Sequence, residues 1–208
     1  MKPTNEKETH LLKSCFSLFT RLGIKSITMD DVARELGVSK KTLYNHFQDK
    51  TDLLKRTFKY HMHCSEERSV EMVVKAKNAI DELILVNEFL KESFSEMHPS
   101  AIYEMQKFYP EVWGLFKEFK HTHILNCIFN NINRGKAEDL FREKLNSEVY
   151  ARIFVGRFDI LFDNELFPNK EYNIPQVHLE MIEYHIRAMA TAKGLKQLEK
   201  YIINHNNK

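Results

Sequence analysis

Residues 27–47 read ITMDDVARELGVSKKTLYNHF and contain the clearest local structural signals in the chain. Thr28 and Asp31 have the spacing of a helix capping box, which predicts the start of a short helix. Gly37 permits the positive φ of a tight turn, and Ser39 is a typical N-cap for the helix that follows. The stretch therefore predicts two short helices joined by a turn.

A longer helix precedes this stretch at about residues 5–22, where apolar residues recur at steps of three and four. Another helix begins at Lys50, after Asp49 as its cap. Two short helices joined across a Gly-containing turn, with a preceding helix to pack against, form a helix-turn-helix unit.

The second short helix, residues 40–47, has two chemically different faces. At about 100° per residue, Leu43 and Phe47 fall on one face. The remainder is polar and basic without a carboxylate, and comprises Lys40, Lys41, Thr42, Tyr44, Asn45 and His46. Such a face suits the major groove of DNA, where Lys and Asn reach base edges and hydroxyl groups reach phosphates. An ordinary solvated helix has a similar amphipathic pattern, so the face alone leaves both interpretations open.

The charge distribution favours the DNA-binding interpretation. The chain has 208 residues and a net charge of +2. Residues 1–60 carry 12 basic and 7 acidic residues, a net charge of +5, whereas the remainder carries a net charge of −3. This asymmetry suggests an N-terminal module that meets a polyanion and a larger body with another task.

Residues 27–47, together with the following DKTDLL at 49–54, closely resemble the DNA-binding domain of the TetR family of bacterial transcriptional regulators. The resemblance is specific over about residues 8–58 and only architectural beyond them. It implies an all-α protein with an N-terminal three-helix helix-turn-helix DNA-binding domain, at residues 1–50. A C-terminal helical effector-binding and dimerisation domain is expected at residues 51–208. The resemblance also implies a homodimeric repressor that binds a palindromic double-stranded DNA operator and is released by a small-molecule effector.

The resemblance assigns nine residues to DNA contact. Phosphate contacts fall mainly to Thr28, Thr42, Tyr44, His46 and Lys50. The variable positions that meet base edges are Lys40, Lys41 and Asn45, and Ser39 caps the helix that carries them. Asp30 stands where some members carry a basic residue, and an acid there repels phosphate, so the first short helix is assigned no base contact.

The rest of the chain is also expected to be helical. The predicted helices lie at about 61–76, 79–98, 100–108, 110–134, 147–164 and 175–193, with Gly135 as the C-cap of the fourth. The last two contain the small residues Ala151, Gly156, Ala188, Ala190 and Ala192. Because small side chains permit close helix approach, we expect the homodimer to form through these last two long helices.

Large aromatic side chains are concentrated around residues 105–119, where the resemblance places an effector pocket. The candidate pocket residues are Met105, Phe108, Tyr109, Trp113, Phe116, Phe129 and Arg157. Aromatic residues at helical spacing also form ordinary core, and that alternative stays open. Arg157 lies in the apolar run IFVGRF, where either an anionic effector or an ion pair with a neighbouring acid would account for it.

Other functional classes find little support. Phosphate-binding loops, nucleophile elbows and H-E-x-x-H motifs are missing from the sequence, so an enzyme is not expected, and no cofactor is implied. Of His61, His63 and Cys64, only the first and last share a helical face, so no metal site is expected.

The expected location is the cytoplasm, with no membrane partner. The longest uncharged stretch, residues 121–133, is shorter than the roughly 20 apolar residues of a membrane span, and the N-terminus lacks a secretory signal pattern. Two rival interpretations stay open: an all-helical small-molecule-binding protein or enzyme whose N-terminal helices do not bind DNA, and a DNA-binding protein without an effector.

Overall fold

The computed structural model describes residues 6–95, 98, 100–168 and 170–206. In that part of the chain there are eleven α-helices, one π-helical turn at Lys120–Ile124, and an isolated β-bridge between Phe141 and Ala190. The helices are α1 Glu6–Leu22, α2 Met29–Glu35, α3 Lys40–His46, α4 Lys50–Lys75, α5 Ala79–Ser95, α6 Ala101–Phe108, α7 Pro110–Phe119, α8 Leu125–Ala137, α9 Ser147–Leu161, α10 Ile174–Met189 and α11 Ala192–Asn206. The all-α fold class is confirmed.

The described residues form two compact units. The first contains residues 6–68, 98 and 100–119, and the second contains residues 69–95, 120–168 and 170–206. These units are defined by contacts within each of them. The functional boundary expected after residue 50 stays a prediction.

The first unit has its own apolar core, built on α1. The buried stripe of α1 includes Cys15 and Phe19, both fully buried. Val32 of α2, Leu43 of α3 and Leu53 of α4 belong to the same core and are also fully buried. Burial of one residue from each short helix fixes the orientation of α2 and α3 on α1.

The second unit has a separate core. It joins α5, α8, α9, α10 and α11 through buried aliphatic and aromatic residues, among them Ile80, Ile132, Phe154, Ile186 and Leu198. Across the described residues, none of the helices combines the length and the apolar character needed to cross a membrane.

Gly135 does not have the predicted role of a helix cap. Helix α8 continues to Ala137, and the nearby residue with a left-handed backbone is Asp139, at φ 57°. A Cβ atom on Gly135 would lie 2.1 Å from the ring of Phe141, which is buried. Glycine is needed here because the Phe141 ring packs against the helix backbone.

The C-terminal helices also differ from the sequence prediction. Where one helix was predicted at 175–193, α10 ends at Met189, and Ala190 adopts an extended conformation in the bridge with Phe141. The Thr191 hydroxyl then accepts a hydrogen bond from the amide of Gly194, which starts α11. The predicted helix 79–98 ends at Ser95 as α5; residues 96 and 97 lie outside the described residues.

Candidate nucleic-acid interface

Helix α2 is held at its start by the predicted capping box. The Thr28 hydroxyl accepts from the Asp31 amide at 3.2 Å, and the Asp31 carboxylate accepts from the Thr28 amide at 3.0 Å. Hydrogen bonds from Thr28 lower the pKa of Asp31. The Thr28 hydroxyl also donates to that carboxylate, so this side chain is already engaged in the cap.

The turn between α2 and α3 has the conformation that the sequence predicts. Gly37 has φ 63°, and the amide of Val38 donates to the carbonyl of Ala33. Ser39 then caps α3, because its hydroxyl accepts from the Thr42 amide at 3.0 Å. The two short helices are thus joined by a turn that backbone hydrogen bonds stabilise.

Helix α3 buries its apolar face and exposes its polar face. Leu43 and Phe47, the C-cap, are 0% and 1% exposed. The exposed residues of this segment are Ser39, Lys40, Lys41, Tyr44 and Asn45, with Thr42 and His46 half-buried. Two lysines and one asparagine are therefore presented to solvent beside hydroxyl groups.

The charges on this surface are partly paired. Lys40 forms an ion pair with Asp30 of α2 at 2.8 Å, and hydrogen bonding to Asp30 raises the pKa of Lys40. Asp30 thus neutralises the first lysine of α3. For Lys41 the described residues provide neither an ion pair nor a hydrogen bond, so its charge is available to a ligand.

The Lys50 side chain turns towards the segment that precedes α2. Its Nζ donates to the carbonyl of Ile24 at 2.5 Å and to that of Lys25 at 3.3 Å. The amides of the same two residues donate to the Glu104 carboxylate of α6, at 2.7 Å each. Burial lowers the pKa of Lys50, and its Nζ lies 5.5 Å from the centre of the Tyr109 ring. We call this arrangement of Lys50, Glu104 and the backbone of residues 24–25 the loop clasp.

Sequence reasoning missed the role of Glu104, and it missed Arg56. Arg56 donates to the carbonyl of His46 at 2.6 Å, forms an ion pair with the buried Glu8, and lies over the Phe47 ring. It therefore ties the C-terminal end of α3 to α1 and α4. Within the sequence, neither residue carries a local signal for its role, because its partners are many positions away.

The seven candidate effector residues are divided between the two units. Met105, Phe108, Tyr109, Trp113 and Phe116 lie in the first unit, and Phe129 and Arg157 in the second. Met105 is 3% exposed and belongs to the first core, together with the partly buried Tyr109 and Trp113. Phe108 and Phe129 are about 40% exposed. A pocket that uses all seven residues stays a prediction.

Arg157 is buried in the second unit. It is 7% exposed, and its Cζ lies 3.7 Å from the centre of the Phe154 ring and 5.3 Å from that of Phe158. Among the described residues, Nε and Nη1 contact no hydrogen-bond acceptor, so the ion pair with a neighbouring acid considered from the sequence is not found there. Burial lowers the pKa of Arg157 to about 9.

Two histidines of α10 lie close to this guanidinium. His178 and His185 are 0% and 5% exposed. Burial, followed by the positive charge of Arg157, lowers the pKa of His178 to about 3 and that of His185 to about 4. Both imidazoles are therefore neutral at pH 7.

Residues 11–57 match a known family, described as bacterial regulatory proteins of the tetR family. The matched segment includes most of α1, all of α2 and α3, and the beginning of α4. It contains every residue assigned above to DNA contact. These residues match the TetR family, and the remainder of the chain lies outside the match.

Two relatives of the chain are HTH-type transcriptional regulators. Over 163 residues the chain is 21% identical to the HTH-type transcriptional regulator YvaF of Bacillus subtilis (strain 168), covering 76% of this chain and 82% of YvaF. Over 52 residues it is 38% identical to an HTH-type transcriptional regulator of Staphylococcus aureus (strain USA300), covering 25% of this chain and 28% of that protein.

The fold similarity extends further than the sequence similarity. The structure of the transcriptional regulator FadR from Bacillus subtilis, in complex with stearoyl-CoA, matches with a TM-score of 0.65 at 18% identity. The match covers 86% of this chain and 97% of FadR. This likeness shows that the chain has the helical architecture predicted from its sequence.

Proposed function

We propose that this TetR-family regulator is a repressor that binds a palindromic operator as a homodimer and is released by a small-molecule effector. The observation that carries the proposal is the exposed polar face of α3, which presents Lys41 and Asn45 without a neighbouring carboxylate on the helix. A helix with such a face fits the major groove, and two copies in a dimer reach two half-sites about one helical turn apart. A protein with this function is expected in the cytoplasm, because its operator lies on the chromosome.

The predicted contacts divide into two groups. Lys40, Lys41 and Asn45 are proposed to meet base edges, since Lys pairs with guanine and Asn with adenine. Because Asp30 holds Lys40 in the free protein, Lys41 supplies the more accessible charge. These residues determine which operator sequence is bound.

Phosphate contacts are proposed for three residues of α3 and for three residues that lie outside it. They are Thr28, Ser39, Thr42, Tyr44, His46 and Lys50. Since the Lys50 ammonium is held in the loop clasp, we assign its phosphate contact to the backbone amide at the start of α4, where helix amides lack internal partners.

The proposed dimer surface lies on α9 and α10. Val149, Ile153 and Ile160 of α9 are 47%, 57% and 47% exposed, and Tyr184 of α10 is 77% exposed. The three aliphatic residues share one face of α9, and Gly156 between them has no atom within 4 Å of a built Cβ. Exposed apolar groups on neighbouring helices support burial against a second copy. Of the small residues first considered for this surface, Ala151 and Ala190 are instead buried within the unit.

An effector is proposed because FadR, which shares the fold, was solved with stearoyl-CoA. Release from the operator requires that the effector bind more tightly to the conformation that does not fit DNA.

The DNA-binding proposal is tested with α3 variants and DNA that flanks the protein's own gene. We expect affinity to fall steeply with salt, because neutralised phosphates release counterions. Lys41→Glu should weaken binding by about tenfold or more, and Tyr44→Phe by less, since one net hydrogen bond contributes about 1 kcal/mol. Equal affinity of both variants and the original chain, with the fold intact, would contradict the assignment and favour a helical protein that does not bind DNA.

The dimer proposal has its own test. Ile153→Arg places a charge in the centre of the proposed surface and should shift the protein to monomers in analytical ultracentrifugation. Val74→Arg is the matched control, because Val74 of α4 is 80% exposed and lies outside that surface. An unchanged dimer in the Ile153→Arg variant would remove α9 from the interface.

A further inference from the structure

We propose that Arg157 anchors the effector and that the effector is a singly charged carboxylate with an apolar body. The inference rests on the proposed function, since it names the class of molecule that releases the DNA. It depends on the surroundings of one side chain in the second unit.

The first observation is the combination of burial and missing hydrogen bonds. Arg157 is only 7% exposed, yet its Nε and Nη1 contact no acceptor among the described residues. Buried guanidinium groups in proteins normally donate to carboxylates or carbonyls, because removing a charge from water is costly. The two nitrogens are therefore donors in position for an acceptor from outside the chain.

The second observation is that the rings around Arg157 compensate its charge without using those donors. The Phe154 ring lies against the guanidinium at 3.7 Å and the Phe158 ring at 5.3 Å. Such cation–π contacts act on the flat face of the group and leave the in-plane N–H donors available. A carboxylate is the ligand group that best matches these donors.

The charge of the ligand follows from the neighbouring residues. His178 and His185 are buried beside Arg157 and neutral, so the guanidinium contributes the positive charge of this cluster. A monoanion leaves the occupied site neutral, whereas a dianion would leave a net negative charge in apolar surroundings. A single carboxylate is thus favoured over a phosphate monoester.

The body of the ligand follows from the side chains that surround the cation. Phe154 and Phe158 form the immediate contacts of the guanidinium, and Phe154 also meets the His185 ring edge-on at 4.7 Å. These are apolar and aromatic surfaces, which favour a hydrocarbon chain or ring. The chemistry therefore indicates an aliphatic or aryl-alkyl carboxylic acid.

The test compares matched acids and alcohols on the full-length protein in the absence of DNA. The probes are octanoate with octan-1-ol, 3-phenylpropionate with 3-phenylpropan-1-ol, and octyl phosphate for the dianion. We expect at least one carboxylate to raise the melting temperature and to bind in calorimetry, with its alcohol and octyl phosphate at least about tenfold weaker. Absence of any preference for the carboxylates in the original chain overturns the proposal without any variant being needed.

Variants then locate the site. Arg157→Met keeps a similar apolar volume and should weaken carboxylate binding by about tenfold or more, with an unchanged or higher melting temperature in the absence of ligand. Arg152→Met is the control, because Arg152 lies on the same helix and forms an exposed pair with Glu148. Equal carboxylate binding in Arg157→Met and the original chain overturns the proposal. A markedly lower melting temperature of the ligand-free variant also overturns it, since Arg157 would then have a structural role.

Failure of this inference is distinguishable from failure of the proposed function. If the protein binds its operator but no carboxylate, only the ligand class is wrong. If carboxylates bind through Arg157 but leave operator affinity unchanged, the effector site stands and the release mechanism is wrong.

Discussion

Replacing Lys50 with methionine separates a structural role of this residue from a role in DNA binding. In the structure the Lys50 ammonium donates to the carbonyls of Ile24 and Lys25, within the loop clasp. Methionine keeps an apolar stem of similar length beside Tyr109 and removes the charge and its hydrogen bonds. The variant therefore tests what the ammonium does, with little change in packing.

The size of the effect follows from the bonds that are lost. A hydrogen bond that involves a charged group contributes about 1.5 to 3 kcal/mol, and the shorter of the two bonds, at 2.5 Å, reaches the carbonyl of the buried Ile24. The variant leaves that carbonyl without its donor. We expect the free energy of unfolding to fall by about 2 kcal/mol.

Two measurements on the same variants give the answer. Urea unfolding measures the loss of stability. Operator affinity across a salt series measures phosphate neutralisation, because each neutralised phosphate contributes about 0.9 to the slope of log binding constant against log salt concentration. For Lys50→Met we expect lower stability and an unchanged slope. For Lys41→Met, at an exposed position, we expect nearly unchanged stability, weaker binding, and a shallower slope if this lysine also neutralises a phosphate.

One outcome would refute this reasoning about Lys50. If Lys50→Met left stability unchanged and reduced the slope by about 0.9 per protomer, the ammonium would neutralise a phosphate. The loop clasp would then be dispensable for stability, and the phosphate contact would belong to the side chain.

Three further perturbations test other features. Gly135→Ala should lower the free energy of unfolding by about 1 to 2 kcal/mol in urea unfolding. A clash of the new methyl group with the Phe141 ring outweighs the gain in helix propensity. An equally stable variant would contradict this packing. Lowering the pH from 7 to 5 should also destabilise the protein, because His178 and His185 have folded-state pKa values of about 3 and about 4, whereas the unfolded chain is protonated near 6.5. The contribution of the two neutral histidines to the free energy of unfolding is complete above pH 6.5. As the pH falls towards 4, it is lost by about 1.4 kcal/mol per pH unit for each histidine. Urea unfolding that is independent of pH would contradict this. Asp30→Asn should increase affinity for DNA of any sequence at low salt, because it releases Lys40 from its ion pair. Unchanged non-specific binding would show that the Asp30–Lys40 pair has no influence on DNA affinity.

The DNA-binding segment was predictable because its determinants are close together in the sequence. Thr28 caps the amide of Asp31, and Ser39 caps the amide of Thr42, each three residues away. Gly37 has the positive φ that its place in the turn suggests. Such local hydrogen bonds leave a recognisable pattern of residue types.

The remaining features depend on contacts between distant residues. Glu104 meets the backbone of residues 24 and 25 about 80 positions away, and Gly135 was misread because its constraint is a ring that returns after the helix has ended. The break between α10 and α11 depends on the bridge of Ala190 with Phe141. Periodicity within a helix carries no information about such partners.

The way in which Glu104 holds the loop before α2 has a consequence for sequence variation. Its carboxylate accepts from the main-chain amides of Ile24 and Lys25, and these amides are present whatever side chains stand there, proline excepted. Residue 25, which is exposed, can therefore be exchanged for any residue except proline while this backbone attachment to α6 is retained; the exchange removes only the contact of the Lys25 Nζ with the Phe108 ring, at 4.6 Å. A designer who wishes to vary this loop can diversify that position with any residue but proline and should leave the carboxylate at position 104 untouched.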